Sequence, residues 1–258
     1  MSKFLDFLLD LLIKFGGGSG KVEDNLVRFG LAALFWGVLL AVAWSRQRQH
    51  DLPREKLLIW GFGLGYAREM FMFSVVAAQM MGLVKSDTVY IFFPPLELAL
   101  GMASVTVVAA SFLRYILDDA DLSRRYLQIG LSAVSICYLA TFWWWASHVT
   151  ANPEIKFFQT WAAWLLRLAG AGLTAIPIVL LIRKRGWLRN IVLVALTFFF
   201  LDEFLMLVSL TTRGVYKSYL CPISHNFHLW TIPVLGYVYI REQSIERKRA
   251  QEALRESE

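Results

Sequence analysis

Apolar residues fall along this chain in long runs, not in the one-sided stripes of a soluble helix. Seven such runs recur, at about 25–45, 57–83, 90–116, 126–149, 157–182, 190–210 and 223–241. A helix needs about 20 apolar residues to cross the ~30 Å hydrocarbon core of a bilayer. The pattern predicts an all-α polytopic membrane protein built as a seven-helix transmembrane bundle.

The opening segment, MSKFLDFLLDLLIKF, is too short to span and carries four charges. Its apolar residues share one broad helical face, which predicts an interfacial amphipathic helix over 1–15. Asp6 and Asp10 interrupt the apolar stretch and argue against a cleaved signal peptide. GGGSG then opens a flexible linker over 16–24. The spanning domain covers 25–241, and a charged extension follows at 242–258.

Composition supports the membrane reading. Of 258 residues, 57% are hydrophobic, more than a soluble domain of this size can cover with polar surface. The net charge of +6 does not point to nucleic acid, because the bases cluster between apolar runs. They lie in SRQRQHDLPREK, LDDADLSRR, RKRGWLRN and REQSIERKRAQEALRESE, whereas the opposite loops carry Lys85, Lys156, Arg213 and Lys217. The positive-inside rule then puts the N-terminus outside and the C-terminus in the cytoplasm. The chain is expected to be a multi-pass membrane protein. Cys137 and Cys221 are expected at different depths, so no disulfide is read from them.

Several charges stand inside the apolar runs: Arg68, Glu69, Glu97, Arg167, Asp202 and Glu203, with His225 and His228 opening the last run. An ionised group at the centre of a span costs about 2.5–3.5 kcal/mol even on the mildest scale, so such groups face the protein interior and mark function. Counted at ~1.5 Å per residue, most of them fall in the outer half of the bundle. That predicts one shared site open to the outer side. Gly61 and Gly65 form a small-xxx-small pair that lets another helix approach closely.

Three chemistries compete for that site. His225 and His228 are three residues apart and share a helix face. With Glu69, Glu97, Asp202 and Glu203 they resemble the carboxylate–histidine metal sites of helix bundles, so a transition metal ion is one candidate cofactor. A second candidate is an organic ligand held by Arg68, Arg167, Trp143, Trp144 and His148. The third is mutual neutralisation, in which the two arginines pair with two acids and the others are protonated. The last run has no lysine for a retinal Schiff base, and no phosphate loop, zinc-protease helix or Ser/His/Asp grouping is present. The chain itself is therefore read without catalytic residues.

The extension follows the last run with no Gly or Pro and is rich in helix formers. Its phrase ERKRAQEALRESE resembles the linker that precedes PAS domains in bacterial sensor histidine kinases and diguanylate cyclases. The resemblance covers about 15 residues. It implies a multi-span sensory input module that signals through its last helix, within a homodimer, to a cytoplasmic PAS or kinase domain of the parent protein. Two other functions are weighed against it. A transporter or channel would need polar residues through the full membrane thickness. A membrane enzyme with a carboxylate–histidine metal centre would need more histidines.

Overall fold

The computed structural model describes residues 3–17, 22–50, 53–84, 86–152, 154–212 and 216–257. Within them the chain is all-helical. The helices are α1 (Lys3–Gly16), α2 (Val22–His50), α3 (Pro53–Met80), α4 (Ser86–Leu117), α5 (Ala120–Ala151), α6 (Trp161–Ile182), α7 (Trp187–Thr211) and α8 (Lys217–Ser257). Gly18, Ser19 and Gly20 of the expected linker, and Lys85 and Arg213 of the expected outer loops, lie outside the described residues.

Each apolar run lies largely within one of α2 to α8, and most helices run past the ends of their run. The extra turns are polar, because a helix can continue into the interfacial layer where water satisfies its side chains. Two boundaries differ from the reading above. The second run extends to residue 83, but α3 ends at Met80. The fifth begins as a 3-10 turn, Phe157–Gln159, and α6 starts only at Trp161. Phe157 is buried against Trp145 there, with ring centroids 5.1 Å apart, and anchors the turn.

Five stretches are long and apolar enough to cross a membrane: Asn25–Gln49, Val89–Leu117, Ala120–Ala151, Trp161–Ile182 and Trp187–Thr211. This is the character of a membrane-embedded bundle. α3 and α8 are more polar, since α3 carries Arg54, Glu55, Lys56, Arg68 and Glu69 and α8 runs into the charged extension.

α4 is the central helix, packed against α3, α5, α6 and α7. α2, α3, α4, α6, α7 and α8 follow one another round the bundle, with α2 meeting α8, while α5 lies outside against α4 and α6. Small residues make the centre possible. A methyl group on Gly61 would lie 2.6 Å from Val108 Cγ2 of α4, and one on Gly65 would lie 2.8 Å from the Trp36 ring of α2. The pair of glycines therefore admits two different helices. Four residues turn a helix by about 40° more than a full circle, enough to change neighbour. Ser104 Oγ ties the same contact by donating to Gly61 O at 2.8 Å.

The mid-plane is an apolar layer of Trp36, Leu58, Phe62, Val108, Phe112, Leu229, Ile232 and Leu235, all buried. α1 lies on α8 and α2. Asn226 Nδ2 donates to Leu12 O at 2.8 Å, while Phe4, Phe7, Leu11 and Phe15 form an exposed apolar stripe. α8 passes through Pro222 and Pro233 without a break. The extension leaves from one end of the bundle, the tail end, and the opposite end is the far end.

Candidate functional site

Side chains of five helices meet in the far half of the bundle. α3 supplies Arg68 and Glu69, adjacent residues that point about 100° apart. α4 supplies Glu97, just after Pro94 and Pro95. α6 supplies Arg167, α7 supplies Asp202 and Glu203, and α8 supplies His225 and His228. All eight line one cavity of about 40 Å³. A water needs about 10–15 Å³ by this measure, so the space suits roughly three water-sized groups.

The cavity holds one residue that the sequence reading missed. Arg28 of α2 also lines it and donates to Glu97 Oε1 at 3.1 Å. It stands at the start of the first apolar run, where a basic residue reads as a membrane-flanking charge.

The ions form a connected set. Arg68 Nη2 donates to Glu97 Oε1 at 2.9 Å, and its Nε donates to the Glu97 backbone oxygen at 3.2 Å. Arg68 Nη1 bonds Glu69 Oε1 and lies 3.2 Å from His228 Nε2. His228 is 3.6 Å from Glu69 Oε1 through Nε2 and 3.4 Å from Asp202 Oδ2 through Nδ1. Asp202 takes a further bond from Ser224 Oγ of α8. Beside this chain, Arg167 Nη1 donates to Glu203 Oε2 at 2.9 Å. Glu69 is 1% exposed and Asp202 6%, so these groups depend on one another and not on bulk water.

Charge is not balanced within the set. Arg28, Arg68 and Arg167 face Glu69, Glu97, Asp202 and Glu203. Fully ionised, with neutral histidines, the described residues of the cluster are one positive charge short. His228, between two carboxylates, is the group placed to carry it. A buried net charge is expensive, so the cluster favours one added proton or small cation. Arg167 Nε is buried and has no hydrogen-bond partner.

The expected metal ligands are brought to one cavity but not to one point. Among the described residues, no three His, Cys, Asp or Glu side chains stand together so as to hold a metal ion. Arg68 occupies the space between Glu69 and His228, and a guanidinium repels a metal cation there. His225 does not join His228 but lies 3.6 Å from Cys221 Sγ, one turn back along α8.

The expected aromatic lining is elsewhere. Trp143 is 81% exposed on α5, and Trp144 stacks on His148 at 4.2 Å and meets the tilted Trp161 ring at 5.0 Å. Both tryptophans and His148 lie outside the cavity, because α5 is the peripheral helix. Trp145 is the buried member of the triplet and donates to Tyr90 O at 3.0 Å.

Gly170 of α6 sets the position of Glu203. A methyl group at 170 would lie 2.9 Å from Glu203 Cδ and 3.0 Å from Oε1. Gly170→Ala is thus expected to displace the Glu203 carboxylate and cost about 1–3 kcal/mol through overpacking. Thermal unfolding in detergent micelles checks this. Unchanged stability would mean that Glu203 has a second setting of equal energy.

Comparison with family models, with curated proteins and with solved structures finds no match.

Proposed function

We propose that this chain is a membrane-embedded sensory input module. Helices α2 to α8 span a bacterial inner membrane, with α1 lying in the outer interface on its exposed Phe4, Phe7, Leu11 and Phe15 stripe. The far-end cluster is the detector. It responds to a small positively charged species, a proton or a metal ion, that supplies the missing charge. α8 is the transmitter, and its extension leads to a cytoplasmic output domain of the PAS or kinase class, paired across a homodimer.

One observation carries this reading. α8 is a single uninterrupted helix of 41 residues. It holds His225 and His228 in the cluster and continues into the extension to Ser257. A change at the cluster that shifts α8 therefore moves the extension as well, provided the stimulus binds the two settings with different affinity. A metal ion fits only if Arg68 swings away from Glu69 and His228, which would itself be the conformational step.

The transporter reading is disfavoured by the mid-plane layer. Trp36, Phe62, Phe112 and Leu235 are each 1% exposed or less. The metal-enzyme reading is disfavoured by the separation of His225 from His228.

Two experiments test the proposal. The Lys/Arg asymmetry predicts α1 outside and the extension inside. Lys14→Cys and Ser244→Cys should react with an impermeant thiol reagent from opposite sides of the membrane. Labelling from the same side would end the seven-span arrangement. For transmission, the chain is fused after Glu258 to a PAS-linked cyclase. One residue inserted after Arg241 turns everything downstream by ~100°, and the cyclase output should change. Output that ignores the insertion would make α8 a passive tether.

A further inference from the structure

The tail end of the bundle holds a second buried ionic cluster, formed where the extension leaves. Arg54 of α3 grips Glu242 of α8 with both prongs, Nη1 to Oε1 at 2.8 Å and Nη2 to Oε2 at 3.0 Å. The same Nη2 donates to Glu55 Oε1 at 2.7 Å. Tyr239 Oη donates to Glu55 Oε2 at 3.1 Å. Arg46 of α2 stands 3.4 Å from Glu242 Oε2 and 3.7 Å from Glu55 Oε1. The Tyr115 ring of α4 covers the Arg54 guanidinium at 4.3 Å. Among the described residues, two arginines face two glutamates here.

Glu242 is the notable member. It is the first acid of the extension, yet only 8% exposed, while Arg241, Ser244 and Lys248 around it are exposed. A forked arginine–carboxylate pair also fixes direction, because both bonds are kept only in one orientation of the two groups. The pair therefore sets the rotation of the extension about its axis.

Its place relative to the far cluster supplies the mechanism. Arg68 stands fourteen residues after Arg54, and His228 fourteen before Glu242. That is about 21 Å along each helix and close to four full turns, which returns to the same face. α3 and α8 run in opposite directions, so Arg68 meets His228 at one level and Arg54 meets Glu242 at the other. Between the two levels lie Phe62 and Tyr239, with ring centroids 6.4 Å apart. Two helices tied at two points four turns apart cannot slide or rotate at one tie without loading the other.

We infer that the Arg54–Glu242 fork, with Arg46, Glu55 and Tyr239 around it, is an inhibitory latch on the extension, and that its release is the step by which a change at the far cluster becomes output. This rests on the reading of α8 as the transmitter. Charging the far cluster shifts α8 against α3 and draws Glu242 out of the fork into interfacial water. The extension is then free to take a second rotational setting.

The test is hydrogen–deuterium exchange of the whole chain in lipid nanodiscs. Glu242→Gln keeps the shape and removes the charge. It should speed amide exchange over residues 240–252 at least tenfold and leave residues 224–232 unchanged. Arg54→Lys keeps the charge and loses the fork, so it should give a smaller increase over the same residues. This second variant reads the latch even if the first does not fold. Unchanged exchange over 240–252 in both variants overturns the latch. An equal rise in every helix also overturns it, since the cluster would then be only a staple of the fold. Asp202→Asn, at the far cluster, separates the two proposals. If it frees the extension while the latch variants do not, transmission stands and the latch falls. If only the latch variants free it, the hold of Arg54 on Glu242 stands, but its release by the far cluster falls.

Discussion

Replacing Arg68 with Met is expected to destabilise the bundle by about 3–5 kcal/mol, the usual cost of removing one partner from a buried ionic set. Arg68 donates to Glu97, bonds Glu69 and lies 3.2 Å from His228 Nε2. Without it, Glu69 and Glu97 would face each other across the cavity with Arg28 beside Glu97 and His228 beside Glu69 as their remaining partners. The measurement is unfolding in mixed micelles, followed by circular dichroism. Glu97→Gln in the same chain should recover part of the loss, because it removes one of the two stranded charges. The two substitutions should therefore be non-additive by roughly 0.5–3 kcal/mol. A loss under about 1 kcal/mol for Arg68→Met would mean that Glu69 and Glu97 are already neutral, and the charge argument for the detector would fail.

Phe62→Ala should cost about 3–5 kcal/mol as well, for a different reason. Phe62 is fully buried in the mid-plane, 5.7 Å from the Trp36 ring and 6.4 Å from Tyr239, measured between centroids. In a bilayer the helices gain little from hiding apolar surface, since lipid is equally apolar. The loss is therefore one of close packing. The cavity would also remove the rigid spacer between the two levels at which α3 and α8 are tied. Unfolding in micelles gives the stability change. Exchange over residues 240–252 should rise in Phe62→Ala even at an intact Glu242. A full-size stability loss with no change in the extension would show that the layer only packs.

The long apolar runs announced the helices because a span must bury its whole circumference in lipid or protein, which leaves a strong composition signal. Depth was legible in the same way. Counting residues brought Glu97, Asp202, Glu203 and His228 to similar levels, and they do line one cavity. Azimuth was not legible. Trp143, Trp144 and His148 have a suitable depth, but they sit on the peripheral helix α5, and nothing in an apolar run says which helix lies outside. Adjacent positions also diverge by ~100°, which is why Trp145 is buried and Trp143 exposed.

Charges near span ends were the other blind spot. Arg28, Arg46, Arg54 and Glu242 all read as interfacial charges that set topology. They turn inward because a partner of opposite sign stands at the same level on a neighbouring helix, and that pairing is a property of the assembled bundle. The same cause explains His225 and His228. Their three-residue spacing puts them on one face, but Cys221 and the Arg68–Asp202 pair compete for the two rings and draw them apart.

Charge at the far cluster is proposed to change the setting of the extension. This is tested most directly by a distance measured across the tail end. Spin labels at Ser45 of α2 and Ser244 of α8, both exposed, report that distance in nanodiscs once Cys137 and Cys221 are replaced by Ala. Asp202→Asn, which removes one negative charge as a bound cation would, should shift the distance distribution to a second population. The same population should grow in the unsubstituted cluster as pH falls through the protonation of His228. A single unchanged distribution in both cases, from a chain that remains folded, would contradict it.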